Sequence, residues 1–285
     1  MNKTVPEILQ AFDALSACGL RVSKNTAGRK AANWQEEKAS IAFCRLVLNC
    51  LSILRLCPGN SWHTSAKGLV IWDLGSIVSL SRNLIECYFT LHYLSQRNLS
   101  ADEIILREKI WKYHEIFERL EMLESGVPKS KGIETLKRVV SKWKRQLEGD
   151  ARFQNLDADK KKGIIEGKIA KLSPRKNLCI SAGVGQKFFE TVFKYGSSHS
   201  HASPFSLEEM DRFGAHNENP AHAMRLALEV SIGFLALGIR DYINLHPDQA
   251  SAMSAHETKL LKVWAGVLKW NQQPARLDSV PTFSP

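Results

Sequence analysis

The stretch LVIWDLGSIVSLSRNLIECYFTLHYL, Leu69–Leu94, decides the fold. Wound at 3.6 residues per turn it is apolar on nearly every side, the pattern of a helix buried all round. The spacing predicts a long helix over about 65–96 at the centre of a helical bundle. Asp73, Arg82 and Glu86 interrupt the run, as Arg225 and Glu229 interrupt a second apolar stretch, Ala223–Ile239. Charges at those places argue for core helices and against membrane spans.

Outward from that helix the chain punctuates itself. A first helix is predicted from Val5 to Cys18, stopped by Gly19, and a second from Lys30 to Leu56, closed by Cys57-Pro58-Gly59. Ser100-Ala101-Asp102-Glu103 is a capping box that opens a helix to about Glu124. A basic amphipathic helix follows from Gly132 to Leu147, then an irregular Lys-rich segment, 148–177, with room for one short helix. Leu178–Ser197 resumes a helical pattern, Pro204–Asn219 reads as a loop, and Asn219-Pro220 caps a long helix to about Leu245. A last helix is placed at Asp248–Lys269. Period-two alternation between hairpin dipeptides, the signature of strands, is missing.

These segments predict an all-α protein: a single bundle of roughly seven to nine helices over 1–270, with a Lys-rich insertion at 148–177 and a frayed tail from 271. The 285 residues suffice for one large core, and a charged fraction of 24% is ordinary for a globular chain. The formal net charge of +10 favours an acidic partner, RNA or another nucleic acid before an anionic surface. Basic residues crowd the middle third, at Lys137, Arg138, Lys142, Lys144, Arg145 and again from Lys160 to Lys176, either as a solvated face or as a nucleic-acid contact. The six cysteines show no C-x-x-C spacing and lie mostly in apolar runs, as small buried hydrophobes in a reducing, cytoplasmic compartment do. No basic start followed by an apolar block marks a secretory leader.

Two constellations carry chemistry. On the central helix Gly75, Ser79, Arg82 and Glu86 share one stripe. An arginine and a glutamate on so apolar a helix either knit helices together as an ion pair or form an anion site, with Glu86 fixing the guanidinium plane of Arg82. The second is Tyr195-Gly196-Ser197-Ser198-His199-Ser200-His201 at a helix end. Its imidazoles can act as acid or base near neutral pH, and its hydroxyls can hold a phosphate or simply satisfy the last carbonyls of the helix. A metal held by His199 and His201 with His216, His222 or Glu218 matches no zinc spacing, and neither metal nor cofactor is expected. His222, Glu229, Gly233 and Arg240 share a stripe on the long C-terminal helix, either the wall opposite Arg82 or a face turned to solvent. P-loop, G-x-G-x-x-G, G-x-S-x-G and H-E-x-x-H motifs are lacking, which removes support from nucleotide-hydrolysing and dehydrogenase readings.

Ser81-Arg82-Asn83-Leu84-Ile85-Glu86 and, over a hundred residues on, Tyr195-x-x-Ser198-x-x-His201-Ala202-Ser203-Pro204 together resemble a widespread family of uncharacterised bacterial helical proteins. The resemblance spans about 65–245 and implies no activity. A second resemblance is to the HEPN superfamily of helical ribonucleases and toxins, which cut RNA without metal using an Arg and a His four to six residues apart. Here no histidine follows Arg82 before His92, so Arg82 would have to meet His201 in space. That resemblance implies a metal-independent ribonuclease-like protein of bacterial conflict or phage defence. Arg82 would stabilise the phosphorane, Glu86 orient Arg82, His201 serve as acid or base, and Tyr195, Ser198 and His199 hold substrate. The rival expectation is a non-enzymatic binding or assembly module, with a homodimer or a genomically neighbouring protein as partner. A third is a nucleic-acid binder that uses the basic 137–176 segment without catalysis.

Overall fold

A computed structural model of the chain describes residues 4–57, 73–126, 130–215 and 221–269. Among them are twelve α-helices and one 3-10 helix and no strand, so the protein is all-α. Contacts divide the chain into two compact units: residues 1–95 with 175–285, and residues 96–174.

The first unit holds α1 (Val5–Thr26), α2 (Trp34–Leu56) and α3 (Leu74–Leu94) from the N-terminal part. From the C-terminal part come α8 (Arg175–Ala182), α9 (Gln186–Ser200), α10 (Pro204–Ala215), α11 (Ala221–Leu245) and α12 (Ala255–Val267). Helices α3 and α11 are its axis, as their all-round apolar sequences require, and α1, α2, α9 and α12 pack around them. Tyr88, Tyr93, Phe234 and Tyr242 fill the space between, and Ser81 meets Ser231 at 2.7 Å so that neither hydroxyl is buried alone.

Several helix bounds differ from the sequence expectation, each for a local reason. α1 continues past Gly19 to Thr26, because Gly19 is a packing glycine: a Cβ there would stand 3.0 Å from Val47 of α2. The Pro204–Asn219 stretch is helical as far as Ala215, begun by Ser203, whose Oγ takes the Ser206 amide, and by Pro204 in the first turn. The last segment splits into a 3-10 helix, Pro247–Ala252, and α12, which opens on its own capping box, Ser254 with Glu257. Residues 65–72 of the expected central helix, the Asn219-Pro220 cap, His216, Glu218 and the tail lie outside the described residues, as does the side chain of His222.

α2 is the helix among the described residues that is long and apolar enough to cross a membrane. Its Ala39, Phe43, Leu46, Cys50 and Ile53 are buried in the first unit, whereas Ile41 and Leu48 are exposed. Five cysteines are buried and free. Burial pushes the thiols of Cys18 and Cys179 to about 11 and that of Cys57 to about 12, which keeps them protonated.

The second unit contains α4 (Ala101–Gly126), α5 (Lys131–Glu148), α6 (Ala151–Gln154) and α7 (Ala158–Ile165). The Lys-rich stretch expected to be irregular is part of its core: Phe153 and Ile164 are buried with Leu106, Ile110, Tyr113 and Leu147. The short helices escaped notice because three or four apolar residues in a lysine-dense run leave little periodicity, although Asp150 and Asp157 cap them. Hydrogen bonds from Arg152 outweigh burial and, with Lys109, hold the Asp150 carboxyl well below the usual carboxylate range. Much of the basic run is answered locally, by Lys137 with Glu124, Lys160 with Asp157 and Lys168 with Glu166. Arg138, Lys142 and Arg145 remain exposed on one stripe of α5.

Candidate functional site

Helix α9 lies close against α3, and Gly196 is what allows it. A Cβ at position 196 would be 2.8 Å from Cβ of Arg82, so any other residue would push the helices apart. This approach brings the two motifs together. Arg82 Nε donates to Ser197 Oγ at 3.0 Å, and Ser197 donates its own proton to the Phe193 carbonyl at 2.9 Å. The guanidinium of Arg82 also stands 4.6 Å from the ring centroid of Phe193, within cation–π range.

Glu86 turns the other way. Its carboxylate takes Arg175 Nη2 at 2.6 Å, so the guanidinium it orients is that of Arg175 and not that of Arg82. Arg175, the first residue of α8, lies 4.5 Å from the Phe193 centroid and 5.6 Å from that of Phe189. Two guanidiniums thus share one phenyl ring. An open cleft of about 450 Å³ is lined by Arg175, Lys176, Cys179, Phe189, Phe193 and Lys194 among others, together with the acidic Glu190 and Ser197, the residue that Arg82 binds.

The remaining residues of the second motif divide by helix face. His201 ends α9 and is exposed, and its imidazole makes no hydrogen bond or ion pair among the described residues. It follows Ser197 by one helical turn, which places it on the stripe of Phe189, Phe193 and Ser197. The chain then turns sharply through Ala202, at φ 45, closed by the Ser203 amide on the Ser198 carbonyl at 3.0 Å, where glycine is the usual choice.

Tyr195 and His199, expected to hold substrate, face away from the cleft. Both reach Glu209 Oε2 on α10, the phenol donating at 2.9 Å and His199 Nε2 lying at 2.8 Å. The side chain of His199 is 0% exposed. Burial and the Glu209 carboxylate push the Tyr195 phenol far above its usual range. These two residues fasten α10 to α9. Ser198 donates back to the Lys194 carbonyl at 3.2 Å, within its own helix.

Sequence reasoning missed Arg175, Phe193 and Glu209. Arg175 was one more cation in a basic run, and only Pro174 before it signals a helix start. Glu209 sat in a presumed loop. Among the described residues no group of three His, Cys, Asp or Glu side chains is placed to hold a metal ion.

A family model described as a family of unknown function, DUF5677, matches residues 39–220. The chain belongs to DUF5677. The matched span runs from α2 through α10 and takes in Arg82, Glu86, Arg175, the whole Tyr195–His201 motif and Glu209, so every residue of this site is DUF5677 sequence. An uncharacterised family is what the paired motifs implied. No curated protein and no solved structure matches the chain.

Proposed function

We propose that the cleft between α8 and α9 binds and processes phosphodiesters, with RNA as the substrate class. The observation that carries this reading is the pair of guanidiniums on Phe193, beside Lys176 and Lys194, with the exposed imidazole of His201 one helical turn beyond Ser197. A phosphate seated there would meet Arg175 and the outer nitrogens of Arg82, while a base would stack on the exposed part of the phenyl ring. In the chemical step His201 would take the proton of the 2′-hydroxyl as its oxygen bonds to phosphorus, the guanidiniums would stabilise the phosphorane, and the P–O5′ bond would break with that proton returned to the departing 5′-oxygen, leaving a 2′,3′-cyclic phosphate. Glu86 acts in this scheme through Arg175. Tyr195 and His199 hold the end of α9 in place and touch no substrate. The setting that goes with this chemistry is cytoplasmic, in bacterial conflict or phage defence.

A second reading is a binding module without catalysis. It is favoured by the engagement of Arg82 with Ser197, Phe193 and the Gly196 crossing, the geometry of a clamp between helices.

The experiment follows a labelled single-stranded RNA with wild-type protein, His201→Ala and Arg175→Ala, recording binding and cleavage separately. The nuclease reading expects cleavage to fall at least 100-fold in His201→Ala with Kd within about twofold, and Kd to rise about tenfold in Arg175→Ala. Binding without cleavage in the wild type would leave the module reading alone. No binding at low salt would sink the nuclease reading and leave a module whose partner is not RNA.

A further inference from the structure

Away from that cleft, α3, α8 and α11 bring a serine, a histidine and an aspartate into one hydrogen-bonded line. Ser181 Oγ lies 2.8 Å from His92 Nε2, and His92 Nδ1 lies 2.7 Å from Asp241 Oδ2. We infer that Ser181 is a nucleophile activated by His92 and Asp241, and that this site transfers the acyl group of a small carboxylic ester to water.

The proton positions follow from the partners. Asp241 is buried, which disfavours its charge, yet hydrogen bonds from His92 and Arg240 prevail and its carboxyl is held below the ordinary range. Arg240 donates twice to Oδ1, at 2.9 and 2.8 Å, and Tyr88 donates to Oδ2 at 3.2 Å. A carboxylate only accepts, so His92 Nδ1 carries the proton and, in the neutral ring, Nε2 is left as a lone pair. Ser181 must then donate to it, in preference to the Leu178 carbonyl at 3.2 Å. Nucleophile, base and an anchored third group at these distances are the arrangement that activates a serine. Burial divides along the line as that role needs: His92 and Asp241 are 9% and 6% exposed, while Ser181 is exposed.

Ser181 Oγ would attack the ester carbonyl carbon and pass its proton to His92 Nε2. As the tetrahedral intermediate collapses, the C–O bond to the alcohol breaks and His92 returns the proton to that oxygen. Water repeats the sequence on the acyl-serine, releasing the carboxylic acid and restoring Ser181. The amides of Gly183 and Val184 are engaged with the Ile180 and Cys179 carbonyls at 3.1 and 2.9 Å. Lys269, whose Cε comes 3.8 Å from the place of a Cβ on Gly183, two residues after Ser181, would supply a cation toward the oxyanion. An exposed serine whose neighbouring Gly183 and Val184 amides are already engaged suits a small, activated ester and slow turnover.

The test treats the full chain with a biotinylated fluorophosphonate and with 4-nitrophenyl acetate, and locates the adduct by peptide mass spectrometry. The expected result is an adduct on Ser181 and ester hydrolysis above buffer, each at least 100-fold slower in Ser181→Ala and in His92→Gln. The wild-type labelling rate should rise through a single ionisation and then level off, where unassisted attack climbs steadily with hydroxide. No adduct, an adduct on another residue, or a rate that ignores His92→Gln in folded protein would overturn the inference. Should His92→Gln fail to fold by circular dichroism, the Ser181→Ala result and the wild-type pH profile decide the matter.

Discussion

Helix α3 carries two polar pairs of i, i+4 spacing, and they live in different worlds. Arg82 and Glu86 sit on its half-open face, where Ser197 and Arg175 complete them in reach of solvent. Tyr88 and His92, less than two turns on, converge on the buried Asp241 of α11, with His92 Nε2 reaching the exposed Ser181. The Glu86 side chain is 34% exposed and that of Asp241 is 8%. Identical spacing therefore says which side chains share a face, and burial decides how much a pair contributes to the stability of the fold.

The comparison breaks most visibly at Asp241. In Asp241→Ala the Tyr88 hydroxyl and His92 Nδ1 lose their acceptor inside the core, while Arg240, partly exposed, can swing toward water. A loss of roughly 3 kcal/mol is expected, a fall in melting temperature of about 6–12 °C for a protein of this size. The pH dependence sharpens the point. Because the folded carboxyl is held below its ordinary value, its contribution is complete above about pH 4 and disappears as the pH drops below that. Denaturant titrations between pH 7 and pH 2 should show wild type and variant converging at the acid end. Parallel curves would mean that Asp241 contributes nothing through its charge.

A smaller effect is expected where α9 crosses α3. Gly196→Ala adds a methyl whose carbon would stand 2.8 Å from Cβ of Arg82, backbone-rooted atoms on both sides that cannot rotate away. The helices must separate by several tenths of an ångström, at a cost of about 1–3 kcal/mol. The same shift would loosen the bond from Arg82 to Ser197, so RNA binding should weaken beyond what the loss of stability explains. Unchanged binding alongside a lowered melting temperature would detach the cleft from the crossing.

The helical architecture was legible because periodicity over twenty residues survives a few exceptions. α2, α3, α4 and α11 have sequences that leave no other fold class open. Gly19 and Gly196 were harder. A glycine inside a helix looks the same whether it ends the helix or admits a neighbour, and only the neighbour tells. The candidate site was half legible. Arg82 and the Tyr195–His201 motif were visible as charge and imidazole in unusual places, and the structure brings Arg82 to Ser197 within that motif. Which of its residues face the cleft was not visible, since Tyr195 and His199 differ from Ser197 and His201 only in helix face, and the partner that claims the inward pair, Glu209, lay in a segment with no recognised element. The line from Ser181 to Asp241 was illegible for a plainer reason: Ser181 and Asp241 lie 89 and 149 residues from His92, and each of the three has an ordinary neighbourhood in sequence.

The smallest effect belongs to the pair of Glu86 and Arg175. At 2.6 Å it looks strong, but the side chains are 34% and 46% exposed, and water and salt screen much of the attraction. Glu86→Gln should change stability by less than about 1 kcal/mol, and a double-mutant cycle with Arg175→Ala should return a coupling of about 0.5 kcal/mol that shrinks at high salt. Ligand binding should respond in the opposite sense. Removing the carboxylate takes a negative charge from beside the phosphate and frees the guanidinium, so Glu86→Gln would tighten RNA binding at low salt if Arg175 meets phosphate directly. If instead Glu86 is needed to aim Arg175, the same substitution weakens binding, and the direction of that one change separates a guanidinium that waits for its ligand from one already set in place.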